Sequence, residues 1–245
     1  MICSVACHKK STYMFNYYGS KSKIVKFYPP PKYGKIIEPF AGSARYALRY
    51  WDRDVLICDL NKDVISVWKW LQTCSKKDII GLPKLVKGLD IRKLEISEIE
   101  RTFLSFLVAS GRPSNIVTSF MEHDNSNQNR FPRIASQLER IKHWKIMNCS
   151  YLDIENEDAT WFIDPPYQFG GEHYKESNKA IDFVELSEWC RERKGHVIVC
   201  ENTKAEWMEF KPIIEIQGAC QTHTVEAIWT NQPTSYGVKQ MVLPL

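Results

Sequence analysis

Short apolar runs alternate along the chain with apolar positions at helical spacing. Lys35-Ile36-Ile37-Glu38-Pro39-Phe40 predicts a strand running into a turn at Ala41-Gly42-Ser43, and residues 45–51 predict a short helix. Val55-Leu56-Ile57-Cys58 predicts a second strand ending at Asp59. Asn61 can cap the next helix, whose Val64, Val67, Trp68 and Leu71 follow helical spacing. Further strands are expected at residues 145–149, 160–163, 196–200, 213–216, 225–229 and 240–243, and a helix over 181–193. Alternating strand and helix early in the chain imply a mainly parallel sheet covered on both faces, and the closely spaced late strands imply an antiparallel edge. The pattern is that of a Rossmann-like α/β fold.

Between residues 73 and 143 the alternation breaks down. Ile99, Phe103, Phe106 and Leu107 fit one helix face, a polar stretch rich in glycine and asparagine fills 110–130, and Ile134, Leu138 and Ile141 resume a helix. A long polar excursion inside a compact α/β chain reads as a functional loop or small insert. Residues 1–75 and 144–245 are therefore expected to form one catalytic unit, and 76–143 an inserted recognition region.

Composition narrows the class. The 245 residues are 44% hydrophobic and 25% charged, which excludes wholesale disorder and collagen-like structure. No apolar run approaches the ~20 residues of a membrane span, and residues 1–10 lack the apolar core of a signal peptide. A soluble, cytoplasmic protein without a membrane partner is expected. The eight cysteines are scattered and read as free thiols; Cys3-x3-Cys7-His8 has no second half-site, so no obligate metal is expected. Charge is distributed unevenly. Residues 1–150 carry 25 Lys and Arg against 13 Asp and Glu, whereas residues 151–245 carry 8 against 16. Two readings follow: a polyanion-binding face on the first part, or a fold that interleaves the parts and averages the field.

The sharpest chemical signal is Asp164-Pro165-Pro166-Tyr167, directly after the apolar run Thr160-Trp161-Phe162-Ile163. This is the carboxyl end of a strand, where open α/β sheets bind ligands. The prolines remove backbone donors and stiffen the turn. Asp164 and the Pro165 carbonyl can each accept one N–H of an exocyclic amine, and Tyr167 can stack on a planar base. The second signal is Glu38-Pro39-Phe40-Ala41-Gly42-Ser43, a turn of small residues that lets backbone approach a ligand. It is neither a GxGxxG nor a GxxxxGK[ST] loop, so pyrophosphate binding is disfavoured. Asp59 follows about 20 residues on, where an acidic side chain grips ribose hydroxyls. A nucleoside without a pyrophosphate points to S-adenosylmethionine. The third is Tyr17-Tyr18-Gly19-Ser20-Lys21, upstream of the first strand.

In that order these segments resemble the Dam-type, alpha-group DNA adenine-N6 methyltransferases, with phage-encoded members as the nearer comparison. The family's order is an aromatic-x-Gly-x-Lys segment, a D/E-x-F-x-G turn, a target-recognition insert and DPPY, and the likeness covers roughly residues 15 to 205. It implies a Rossmann-like methyltransferase fold. It also implies S-adenosylmethionine contacts from Tyr17, Lys21, Glu38, Phe40, Ala41, Gly42, Ser43, Asp59, Asp153 and Asp164. Asp153 enters through Ser150-Tyr151-Leu152-Asp153, and Cys200-Glu201-Asn202 ends a later strand where the family lines its pocket. The chain departs at Arg45-Tyr46, where many relatives keep small residues.

The activity implied is site-specific methyl transfer to the N6 amine of an adenine flipped out of double-stranded DNA. Asp164, Pro165, Pro166 and Tyr167 hold the base, and drawing on both N–H bonds favours the tetrahedral nitrogen formed as methyl arrives. Arg112, Asn129, Arg130 and Lys142 of the insert are the candidate DNA contacts, arginine suiting guanine edges or phosphates and asparagine adenine edges. A monomer or weak dimer is expected. The alternatives are a methyltransferase acting on an RNA base amine and a non-catalytic DNA-binding relative.

Overall fold

The computed structural model describes residues 13–108, 113–118, 130–170, 181–217, 223–232 and 239–242. Cys3, Cys7, His8, Arg112 and Asn129 lie outside the described residues. Among the described residues eight strands form one sheet: β1 (Lys35–Glu38), β2 (Asp54–Cys58), β3 (Lys145–Met147), β4 (Ala159–Ile163), β5 (Gly195–Asn202), β6 (Lys211–Gln217), β7 (His223–Thr230) and β8 (Lys239–Val242). Their order is β3-β2-β1-β4-β5-β7-β6-β8. Strands β1 to β5 are parallel, β7 runs antiparallel to both β5 and β6, and β8 pairs parallel with β6. This is the mainly parallel sheet with an antiparallel edge that the apolar runs predict.

From β1 the chain builds outward through β2 and β3, then returns to place β4 on the other side of β1. The reversal leaves a crevice at the carboxyl ends of β1 and β4, the place where such sheets take ligands.

Period-two alternation assigns each strand residue to one of two apolar layers. Ile36, Val55, Ile57, Phe162, Ile198 and Cys200 face one layer. Ile37, Leu56, Trp161, Ile163, Val197 and Val199 face the other, where Leu186, Trp189 and Cys190 of helix 183–192 cover them. Two covered faces explain why these strands read as continuous apolar runs. At the β4–β5 junction Gly195 has φ +93°, and a Cβ there would lie 2.3 Å from the Ala159 carbonyl oxygen, so only glycine lets β5 begin so close to β4.

In chain order the helices are α1 (Arg45–Arg49), α2 (Lys62–Thr73), α3 (Lys76–Ile80), α4 (Glu98–Leu107), α5 (Arg130–Ala135) and α6 (Phe183–Glu192). The Asn61 side chain caps α2 by accepting from the Asp63 amide at 3.0 Å. Helix α3 is additional to the elements expected from apolar spacing; a Ser75–Asp78 capping box starts it. The apolar run from Ile134 to Ile141 is not one helix. It divides into α5 and a 3-10 turn at Leu138–Ile141, and between them Gln137 turns inward so that its Oε1 accepts from the Tyr13 amide at 3.1 Å.

Residues 98–107 share the apolar core that covers the sheet. Phe103, Leu104, Phe106 and Leu107 of α4 lie in the same apolar layer as Trp68 and Leu71 of α2. Trp70 and Phe103 rings meet at 5.1 Å, and Phe15 and Phe106 at 5.4 Å. Phe15 precedes β1, so the chain before the sheet and the insert close over α2 together. No described helix is long and apolar enough to cross a membrane.

Candidate active site

A cavity of about 270 Å³ opens in the crevice beyond β1, β2 and β4. Its floor is the turn after β1. Gly42 has φ +45°, and a Cβ there would stand 2.7 Å from Cδ1 of Tyr17, so glycine permits the Tyr17 ring to lie on the turn. The Gly42 carbonyl accepts from Trp68 Nε1 at 2.9 Å and its amide donates to Asp59 Oδ2 at 2.9 Å. Asp59 Oδ1 accepts from the Asn61 amide at 2.8 Å. One carboxylate thereby ties the end of β2 to the turn after β1 and to the start of α2.

Glu38, the last residue of β1, is 2% exposed. It accepts from the Ala47 amide at 2.5 Å, and burial pushes its carboxyl up to about 8 against that bond. It therefore braces α1 as well as lining the cavity. Arg45, a departure from the family pattern, packs inward: its Nε donates to Ser20 Oγ at 2.9 Å, and Ser43 Oγ is 3.0 Å from the same hydroxyl. The Tyr17–Lys21 segment is thus laced to the Gly42 turn through Ser20.

Phe40 and Tyr151, with ring centroids 5.4 Å apart, form an aromatic wall. Leu60 and Leu152 line the same cavity although each is 51% exposed. Ile181, Asp182 and Glu185 complete that side. Motif matching does not find Leu60, Leu152, Ile181, Asp182 or Glu185. The available signal is Leu60 and Leu152, apolar side chains in polar segments just after strand ends.

Asp164 enters at the end of β4, with its side chain 19% exposed and Oδ1 3.1 Å from Lys21 Nζ. Burial pushes the Asp164 carboxyl up to about 6; Lys21 opposes the rise and Glu226 adds to it. Lys21 Nζ also donates to the Tyr167 hydroxyl at 2.5 Å and stands 4.3 Å over the Tyr167 ring. The segment beyond is held to the end of β5: the Gln168 amide donates to Glu201 Oε1 at 2.6 Å and Asn202 Nδ2 to the Phe169 carbonyl at 3.0 Å.

Of the residues expected around a cofactor, Tyr17, Lys21, Glu38, Phe40, Ala41, Gly42, Ser43, Asp59 and Asp164 all line this cavity, as does Pro166. Asp153 does not; its Oδ2 accepts from the Ser150 amide at 2.9 Å and caps the short turn that carries Tyr151 and Leu152. Pro165 is buried next to it, and Tyr167 contacts it through Lys21. Among the insert residues, Arg130 Nη1 donates to the Leu107 carbonyl at 3.0 Å, and Lys142 Nζ donates to the Gln72 carbonyl at 2.5 Å at the end of α2. Neither lines the cavity. Among the described residues no three His, Cys, Asp or Glu side chains gather as metal ligands.

No curated protein matches the chain. A solved structure of HI0767 from Haemophilus influenzae, a candidate methylase, is similar over 81% of this chain and 80% of that one, with 14% identity and a TM-score of 0.34. Residues 17–90 match the model of the D12 class N6 adenine-specific DNA methyltransferases. That stretch holds Tyr17 to Lys21, the Gly42 turn, Asp59 and α2. Over the segment that builds the cavity floor, the chain is similar to the D12 class N6 adenine-specific DNA methyltransferase family.

Proposed function

We propose that the cavity binds S-adenosylmethionine and that the protein methylates the N6 amine of an adenine turned out of double-stranded DNA. One observation carries the reading. Lys21, Gly42, Asp59 and Asp164, drawn from four separate stretches, line a single cavity at the carboxyl ends of β1, β2 and β4.

The lining fits the cofactor's chemistry. Both Asp59 oxygens accept backbone amides, and a carboxylate oxygen has two lone pairs, so each can also accept from a ribose hydroxyl. Phe40, Leu60, Tyr151 and Leu152 offer apolar and aromatic surface for a purine ring. The bound cofactor supplies an electrophilic methyl group. The chain's own residues then set the nucleophile. Adenine N6 is a weak nucleophile because its lone pair is shared with the ring; Asp164 Oδ and the Pro165 carbonyl accept its two N–H bonds and draw the nitrogen toward a tetrahedral shape. Asp164 accepts most strongly when ionised. Lys21, 3.1 Å from it, holds that charge in a buried site. Tyr167 offers a ring face to the base and offsets part of the stacking lost on extrusion.

Duplex DNA and a matched RNA are each incubated with the protein and S-adenosylmethionine, digested, and their nucleosides resolved by mass spectrometry. The expected product is N6-methyladenine from DNA. A methylated base from RNA alone, or from neither, overturns the proposal.

A further inference from the structure

We propose that Glu226 of β7 is a positioning residue for the Asp164–Tyr167 segment, fixing the direction of Tyr167 and tuning the basicity of Asp164 through the lysine the two carboxylates share. The part that concerns methyl transfer rests on the function proposed above; the coupling between the carboxylates does not.

Glu226 lies in the antiparallel part of the sheet, opposite Asn202 of β5 and Ile214 of β6, and is 3% exposed. Its neighbours Ala227 and Ile228 are buried and apolar. A carboxylate in such a place is costly unless its oxygens are bonded. Oε1 is: it accepts from the Tyr28 hydroxyl at 2.6 Å and from the Tyr167 hydroxyl. Lys21 Nζ lies 3.6 Å from the same oxygen.

These bonds have a fixed direction. An ammonium has donors and no acceptor, so the Tyr167 hydroxyl accepts from Lys21 and must turn its own proton toward Glu226. The chain Lys21 to Tyr167 to Glu226 cannot run the other way. It pins the Tyr167 ring, and with it the backbone that carries Asp164 and Pro165. Tyr28 belongs to the same knot, packed edge-on against Phe162 of β4 at 5.0 Å, and burial together with the adjacent carboxylates keeps both phenols protonated.

The same geometry sets a charge balance. One ammonium serves two carboxylates, Asp164 at 3.1 Å and Glu226 at 3.6 Å. The groups that act electrostatically on or beside Asp164 are Lys21 from the leading segment, Tyr28, Glu38 of β1, Tyr167, Cys200 and Glu201 of β5, and Glu226 of β7. Of the carboxylates, Glu226 is within ion-pair distance of the lysine that holds Asp164. In a buried site such charges act with little screening. Removing the Glu226 charge leaves Lys21 to Asp164 and lowers the pH at which Asp164 takes up a proton.

The test uses ligand-free protein labelled with ¹³Cγ-aspartate and ¹³Cζ-tyrosine, with Asp164→Asn and Tyr167→Phe supplying the assignments. Glu226→Gln is expected to lower the Asp164 midpoint by about one pH unit, a tenfold change in acid dissociation. Glu226→Asp keeps the charge and shortens the reach; it is expected to hold the midpoint near the parent's while shifting the Tyr167 resonance and lowering kcat more than KM. An unmoved Asp164 midpoint in folded Glu226→Gln overturns the proposal. If that variant does not fold, an unmoved Tyr167 resonance in Glu226→Asp overturns it. A shifted midpoint in a protein that forms no N6-methyladenine on any DNA upholds the coupling and overturns the methyl-transfer reading instead.

Discussion

The Lys21 ammonium and the Tyr167 hydroxyl, 146 positions apart, meet at 2.5 Å. That bond joins the segment before the first strand to the segment after the fourth, the two pieces that the cavity needs on opposite sides. Lys21 is also the cation within reach of both Asp164 and Glu226, with its side chain 7% exposed. Replacing it with methionine keeps its length and leaves two buried carboxylates without their partner. The Lys21→Met protein is expected to lose on the order of 3 kcal/mol of stability in urea denaturation, because an unpaired buried charge is far more costly than an exposed one. A loss below about 1 kcal/mol would show that the ion pairs matter little to the fold.

The pH dependence of turnover follows from Asp164. The carboxyl is pushed up to about 6 mainly by burial, and it accepts an amine N–H most strongly when ionised. As pH falls through about 6 the charged acceptor is lost, so kcat is expected to drop about tenfold per pH unit on that limb and to level off above it. A flat profile between pH 5 and 7 would remove Asp164 ionisation from the rate-limiting step.

Asp59 holds two backbone amides in the ligand-free protein, so its substitution tests binding and turn geometry together. Asp59→Asn retains an acceptor and Asp59→Ala retains none. In calorimetry S-adenosylmethionine is expected to bind Asp59→Ala about 10- to 100-fold more weakly, the cost of one to two unmade bonds, with Asp59→Asn between it and the parent. Equal dissociation constants for all three would exclude Asp59 from the site.

Much of this site is written in short motifs because strand ends and tight turns are local. The Gly42 turn, Asp59 and Asp164-Pro165-Pro166-Tyr167 each follow an apolar strand, and the strand order brings their ends together. What local pattern does not carry is which distant strand supplies a partner. Glu226 sits in Val225-Glu226-Ala227-Ile228-Trp229, where a lone charge among apolar residues could as well have faced water. Tyr28, in Phe27-Tyr28-Pro29-Pro30, reads as loop until its hydroxyl is seen on Glu226. Helix α4 is legible, but helical spacing gives a buried face without naming what covers it, so its packing in the α2 core is not.

Lys142 and Arg130 each already donate to a backbone carbonyl. Lys142 donates to carbonyls at the end of α2, a position where a cation also complements the helix dipole. Lys142→Ala is expected to lower the urea midpoint modestly. Neutralising Arg112 and Arg130 together is expected to weaken duplex binding and to flatten its logarithmic salt dependence by about two, one for each phosphate that is no longer neutralised. Unchanged affinity and slope for the arginine pair would move the DNA-binding face elsewhere, with the lysines between Lys21 and Lys35 as the next candidates.

The most direct measurement follows a deuterated methyl group from S-adenosylmethionine into duplex DNA, comparing parent with Asp164→Ala proteins of matched melting behaviour. The label is expected on adenine N6 with the parent protein, and at least about 100-fold more slowly with Asp164→Ala, since a main acceptor for the reacting amine is gone. Label on another base, or equal rates from the two proteins, would contradict the account.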